Sequence, residues 1–274
     1  MILAISNNKG GVGKSTAVSM LSSILYQKGK RVLIVDTDNQ GNAALAFGIN
    51  PDTYPTTTYD ALMGRKRPED CIYAILENSP TDELHPDACI HIMPAHDAMA
   101  MFEFEVLTDA TVWDEKFEFL RRVLAPIAHQ YDVILIDTPP NVGLTIGNVL
   151  TAADGVLVPF QPERFSMRSL TKILEQIKEF RQMNDRLQFI GLFPVLVDKR
   201  TKLHLDVIEQ AREYAEAGGF TMYETMIPRT IRFASAVSYN QKPLALVDPN
   251  DPLVQLYADL WAEIEKRSAT VEAN

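Results

Sequence analysis

Eight residues near the start of the chain, Lys9-Gly10-Gly11-Val12-Gly13-Lys14-Ser15-Thr16, constrain everything that follows them. A short apolar run, Ile2 to Ile5, precedes them, and a segment with helical character, Ala17 to Gln27, comes after. Three glycines between a strand and a helix let the backbone curl until its N–H groups converge on one point, where the helix start adds positive potential. Such a curl is a cradle for phosphate. Lys14 is then placed to reach β- and γ-phosphates, and Ser15 to offer its hydroxyl to Mg²⁺. At average composition, six fixed positions of this kind recur by chance in roughly one window in ten million. The common form of the loop has a glycine six residues before its lysine. Here that position is Asn8, and a second lysine, Lys9, follows it. Lys9 is too close to the loop to be merely another reader of the same phosphates.

Two further runs point the same way. Arg31 to Asp36 reads as a buried parallel strand ending in a carboxylate, and the polar segment Thr37-Asp38-Asn39-Gln40-Gly41-Asn42 follows it. Ligands of open α/β sheets gather at that edge, so Asp36 and Asp38 are placed for chemistry. Tyr131 to Asp137 is a second such strand, and Thr138-Pro139-Pro140 after it has the position of a loop that senses a γ-phosphate. Asp137 is expected beside Ser15, holding Mg²⁺ directly or through water.

The remaining pattern alternates strands with helices. Strands are expected at Ala88–Pro94, Gly155–Phe160 and Phe189–Val197. Helices are expected at Tyr59–Met63, Glu69–Glu77, across 95–130, at Ser166–Met183 and from about Asp251 to Lys266. This predicts an α/β fold with a mostly parallel twisted sheet flanked by helices on both faces. Nothing along residues 1–274 is rich enough in glycine, serine or charge to divide the chain, so one domain is expected. Met99, Met101, Phe102 and Phe104 form an apolar cluster that suits either core packing or a partner-facing surface.

Composition excludes several classes. The 274 residues are 46% hydrophobic and 23% charged, which is ordinary for a globular protein, and no run approaches a membrane span. The first residues read as a strand entering the loop rather than as a signal peptide. Cys71 and Cys89 lie far apart, as expected of buried small hydrophobes in a reducing compartment, and the five histidines show no ligand-like pairing. A net charge of −10 argues against a wholesale basic coat but leaves room for a local basic patch.

With the lysine-led loop, the segment VDTDNQGNA, the strand ending at Asp137, and the later stretches Ile227-Pro228-Arg229 with Arg232 and Lys242-Pro243-Leu244, nearly the whole chain resembles the ParA/Soj-type partition ATPases. These form a branch of the ParA/MinD superfamily, with a deviant Walker A phosphate loop. The resemblance is to the short form: only eight residues precede Lys9, so no helix-turn-helix domain and no specific operator binding are expected.

The resemblance implies an ATPase that needs Mg²⁺ and forms an ATP-dependent sandwich homodimer. In its ATP state the dimer is expected to bind DNA without sequence preference. A ParB-like centromere-binding partner then stimulates hydrolysis and releases the protein, in the bacterial cytoplasm on the nucleoid. Carried over by position, Lys9 acts across the dimer and is catalytic together with Lys14 and Asp38, which positions the attacking water. Lys9, Gly10, Gly11, Val12, Gly13, Lys14, Ser15 and Thr16 hold the nucleotide. Pro228 and Thr230 take the adenine side, although Thr230 replaces the asparagine common there. Ser15, Asp36 and Asp137 serve the metal. Lys199, Arg200, Lys202, Arg229 and Arg232 are candidates for DNA, with Arg200 and Arg232 the best positional matches. A positioner of another cellular cargo shares every motif. A MinD-like membrane switch fits poorly, because the C-terminal stretch carries Asp259, Glu263 and Glu265 and ends in polar Ser268–Asn274.

Overall fold

The computed structural model describes residues 1–78, 85–163 and 166–272. The elements follow in the order β1 (Ile2–Ile5), α1 (Lys14–Gln27), β2 (Arg31–Asp36), α2 (Asn42–Leu45), α3 (Thr58–Leu62), β3 (Tyr73–Glu77), β4 (Cys89–Met93), α4 (Ala100–Thr108) and α5 (Phe119–Leu124). The second half holds β5 (Val133–Asp137), α6 (Leu144–Ala152), β6 (Gly155–Phe160), α7 (Ser166–Phe180), β7 (Gln188–Pro194), α8 (Lys202–Gly218), α9 (Arg232–Asn240), α10 (Leu244–Val247) and α11 (Pro252–Glu272).

The strands make one sheet in the order β3-β4-β2-β5-β1-β6-β7, parallel throughout except for β3. The expected mostly parallel sheet with helices on both faces is what forms. Alternation along the strands explains why both faces are covered. In β1, Leu3 and Ile5 belong to one core and Ala4 to the other, and none of the three is exposed. One core lies under α1, α10 and α11, and the other under α5, α6 and α7. Each fully buried aliphatic side chain contributes about 1.5–3 kcal/mol, most of it offset by lost chain entropy.

The register also builds the site. Ile5 pairs with Asp137, and Asp137 pairs with Asp36, so both carboxylates and the start of the phosphate loop share one sheet edge. Strand order reverses around β1, which is where open α/β sheets place their ligands.

Several local expectations need correcting. Glu69–Glu77 is not a helix: Pro68–Cys71 is a 3₁₀ turn, and Tyr73–Glu77 is an edge strand antiparallel to β4. Nine residues with a mixed pattern fit either state, and pairing with β4 decides it. The first helix begins at Lys14, three residues before the expected start. The last strand stops at Pro194 instead of Val197. Residues 95–130 are broken helix, α4 and α5 separated by 3₁₀ turns. The apolar cluster there splits: Met99 and Phe102 are buried, while Met101 and Phe104 are exposed. The closing helix continues to Glu272, and the polar stretch Ser268–Asn274 lies outside the described side chains. Among the described residues, no helix is long and apolar enough to cross a membrane.

Candidate functional site

The phosphate loop takes its shape from two backbone positions. Gly11 and Gly13 have φ of 72° and 77°, in the left-handed region that other residues enter at a cost. Gly13 caps α1, its carbonyl accepting from the Ala17 N–H at 2.9 Å. A Cβ at Gly11 would meet open space and one at Gly13 only an ordinary contact with Thr16 at 4.0 Å, so backbone conformation rather than crowding demands glycine here.

Lys14 is the buried cation of the loop, 7% exposed. Its Nζ donates to the carbonyls of Asn7 at 3.3 Å and Lys9 at 3.4 Å. Burial lowers its pKa, against the pull of Asp137 and Asp38, whose negative charges face it. Both bonds are long, so Lys14 is arranged without being committed to either carbonyl.

The two strand-end carboxylates differ in how they are satisfied. Asp36 accepts from the Asp38 N–H at 2.9 Å and the Ala43 N–H at 3.1 Å. It pins the 37–43 segment. Asp137 is 1% exposed, and neither of its oxygens has a hydrogen-bond partner among the described residues. Burial is the largest influence raising its pKa, with the Ser15 hydroxyl and the Lys14 charge opposing it. A buried carboxylate left this way is expensive, and a cation would satisfy it. With the Ser15 hydroxyl beside it, this is an oxygen-donor set that fits Mg²⁺. Asp38, 6% exposed, is fixed by its backbone bond to Asp36, and its own Oδ1 accepts from the Gln40 N–H at 3.1 Å.

Lys14, Ser15 and Asp38 open onto a cavity of about 620 Å³. Gly10, Gly11 and Gly13–Thr16 form its floor, Asp38 and Gln40 one wall, and Phe233 and Val237 of α9 another. Helix α9 is a component that periodicity did not bring out. Helices α6 and α8 were missed as well, although the α8 stripe of His204, Val207, Ile208, Ala211 and Ala215 carried the signal.

Pro228 lies elsewhere. It bridges to Val197 and lines a second cavity of about 330 Å³ with Asp198, Lys199, Arg200 and Arg229. One adenine candidate and three DNA candidates therefore share a single pair of loops. Thr230 stands beyond them, its Oγ1 accepting from the Arg232 N–H at 3.1 Å. Lys199, Arg200, Lys202 and Arg229 are exposed, but Arg200 is folded back onto Asp198 through two bonds of 3.0 Å. Its guanidinium holds the Asp198 carboxyl down at about 2.

Arg232 forms an ion pair with Asp251, a buried residue that caps the start of α11. It pins α9 to α11. Arg229 and Arg232 are therefore expected to separate by experiment. Arg229→Glu should weaken binding to duplex DNA several-fold and flatten its salt dependence, each phosphate contact contributing about −0.9 to the log–log slope, at unchanged melting temperature. Arg232→Glu should lower the melting temperature by several degrees, because it sets a second carboxylate against buried Asp251. Filter binding and thermal melts on the two variants check both outcomes.

A family model described as an AAA domain matches residues 1–189. The chain is 34% identical to the sporulation initiation inhibitor protein Soj of Bacillus subtilis, over 96% of this chain and 97% of that protein. It is 32% identical to the chromosome partitioning protein ParA of Myxococcus xanthus, over 97% and 88%. Among solved structures, the cobyrinic acid a,c-diamide synthase of Mycobacterium smegmatis, with a bound ATP analogue and magnesium, superposes with a TM-score of 0.71 at 30% identity. That match covers 88% of this chain and 97% of that one.

Proposed function

The chain belongs to the Soj/ParA family, and on that premise we propose that it is a partition ATPase acting as a nucleotide-gated dimer on DNA. The observation that carries the reading is the cavity lined by the glycine loop, Lys14 and Asp38, with the buried Asp137 carboxylate facing Lys14. In this reading the backbone of Gly10–Thr16 and Lys14 hold the triphosphate of ATP. Pro228 and Thr230 stand on the adenine side, and the single unit 1–274 does the work of one domain. Ser15 and Asp137 hold Mg²⁺, with Asp36 supporting through water and through its grip on the 37–43 segment. Held there, Mg²⁺ would supply neutralisation of the charge that develops on the phosphate oxygens.

Asp38 orients the attacking water by accepting a hydrogen bond from it, as a carboxylate whose backbone is fixed to Asp36 can. Lys9 completes the site across a dimer interface. Hydrolysis is then tied to pairing, and it is slow in the absence of a stimulating partner. Lys199, Arg200, Lys202 and Arg229 form the basic rim for DNA, with Arg232 as their support. The proposed surroundings are the bacterial cytoplasm and nucleoid, with a ParB-like protein as the stimulating partner.

The deciding experiment is ATP hydrolysis with non-specific DNA, with and without a ParB-like protein encoded in the same genome. Stimulation that needs both supports partition. Likeness to a protein named as a cobyrinic acid a,c-diamide synthase supports a second reading, ATP-dependent chemistry on a small molecule. ADP formation that ignores DNA and follows an added small acid would favour it.

Asp137→Asn offers an independent check of the metal reading. Burial disfavours this carboxylate and Lys14 offsets that cost, so the melting temperature of the nucleotide-free protein should change little, whereas the Mg²⁺ dependence of ATP binding should be abolished. Unchanged Mg²⁺ dependence in titration calorimetry would remove Asp137 from the metal site.

A further inference from the structure

Lys9 is held by its own chain. Its Nζ donates to Gln161 Oε1 at 2.8 Å and to Glu163 Oε2 at 2.5 Å, and Gln161 Nε2 donates to Glu163 Oε1 at 2.5 Å. The three side chains close a triangle just beyond β6. The root of the lysine is tethered to the same strand: its N–H donates to Asn7 Oδ1 at 3.0 Å, and Asn7 Nδ2 donates to the Pro159 carbonyl at 2.6 Å. Gln161 is 6% exposed, so one corner of the triangle is fixed. Glu163 also faces the positive charge of Arg229.

We propose that Gln161 and Glu163 form a latch that retains Lys9 on its own subunit, so that two nucleotide-loaded chains pair only by breaking it. The proposal rests on the reading that Lys9 serves the nucleotide of a partner. An ammonium has three donors, and two of them are already used within the chain. To reach a partner's phosphates Lys9 must give up one or both. Glu163 opposes pairing a second time, because its carboxylate adjoins Lys9 and would repel the negative charge of the nucleotide that Lys9 reaches for. Both effects act on association and neither acts on nucleotide binding by the single chain.

The latch is weak enough to be reversible. The side chains of Lys9 and Glu163 are 40% and 44% exposed, so water screens the pair, and such pairs are worth a factor of roughly two to five. A symmetric dimer breaks two latches. Removing them should therefore tighten dimerisation by roughly 4- to 25-fold.

The test is sedimentation equilibrium of the full chain with Mg²⁺ and a non-hydrolysable ATP analogue. Glu163→Gln should dimerise at a 4- to 25-fold lower concentration. Glu163→Asp, which keeps the charge, should stay within about twofold of wild type. The half-exposed position makes both substitutions tolerable, and unchanged melting temperature and single-chain analogue affinity separate the effect from loss of fold. If Glu163→Gln dimerises no more tightly than wild type while Lys9→Ala fails to dimerise, the latch is wrong and the dimer reading stands. If wild type stays monomeric with the analogue bound, both fall together.

Discussion

Replacing Lys14 by glutamine is expected to weaken ATP binding by roughly a hundredfold or more. Lys14 is buried at the floor of the cavity, faced by Asp38 and Asp137. Its desolvation is already suffered in the empty protein, which is why its pKa is lowered, so an arriving phosphate meets a cation that has little water to lose. Charge-assisted bonds in such surroundings contribute about 1.5–3 kcal/mol each. Glutamine would also leave the two carboxylates facing the phosphates uncompensated, which adds repulsion to the lost attraction. The variant should fold, because the carbonyls of Asn7 and Lys9 can accept from an amide as well as from an ammonium. Fluorescence titration with a labelled ATP analogue reads the effect, and near-native affinity would remove the phosphate-loop reading altogether.

Replacing Asp38 by alanine should have the opposite profile, with binding intact and turnover reduced by roughly 10² to 10⁴. The backbone of Asp38 is held by Asp36, and the 37–43 segment is anchored again at Ala43. Deleting the carboxylate therefore leaves the loop in place, at the cost of the bond accepted from Gln40. With nucleotide binding preserved and the chemical step blocked, ATP-bound dimers should accumulate. Light scattering with Mg²⁺ and ATP over hours distinguishes them from a wild type that cycles back to monomer. Wild-type turnover in this variant would assign the water-orienting role to another residue.

What was legible in the sequence is what local chemistry determines. The glycine loop and the strands ending in Asp36 and Asp137 follow from short local patterns, and the parallel sheet from the alternation of strands with helices. The edge strand Tyr73–Glu77 escaped because its state is settled by the neighbour it pairs with, not by its own composition. Helix α9 escaped for a related reason: it has one well-buried residue, Ala236, so its apolar stripe is faint, yet it walls the main cavity. The polar contacts that refine the site are long-range. Glu163 is 154 residues from Lys9, and Asp251 lies 19 beyond Arg232, at the cap of a different helix. No spacing rule connects such pairs. Arg200, with Arg232 one of the two best positional matches for DNA, is placed against Asp198 only in the folded chain.

The ladder beyond β7 has a consequence for motion. The Val197 N–H donates to the Ile227 carbonyl, and the Arg229 N–H donates back to the Val197 carbonyl, each at 3.0 Å. Two rungs that share one residue break together, so the loops 198–202 and 226–230 form one cooperative opening unit. Local unfolding there would release their already exposed cationic side chains from fixed positions as a set, and any ligand that orders one loop lowers the entropy cost of ordering the other.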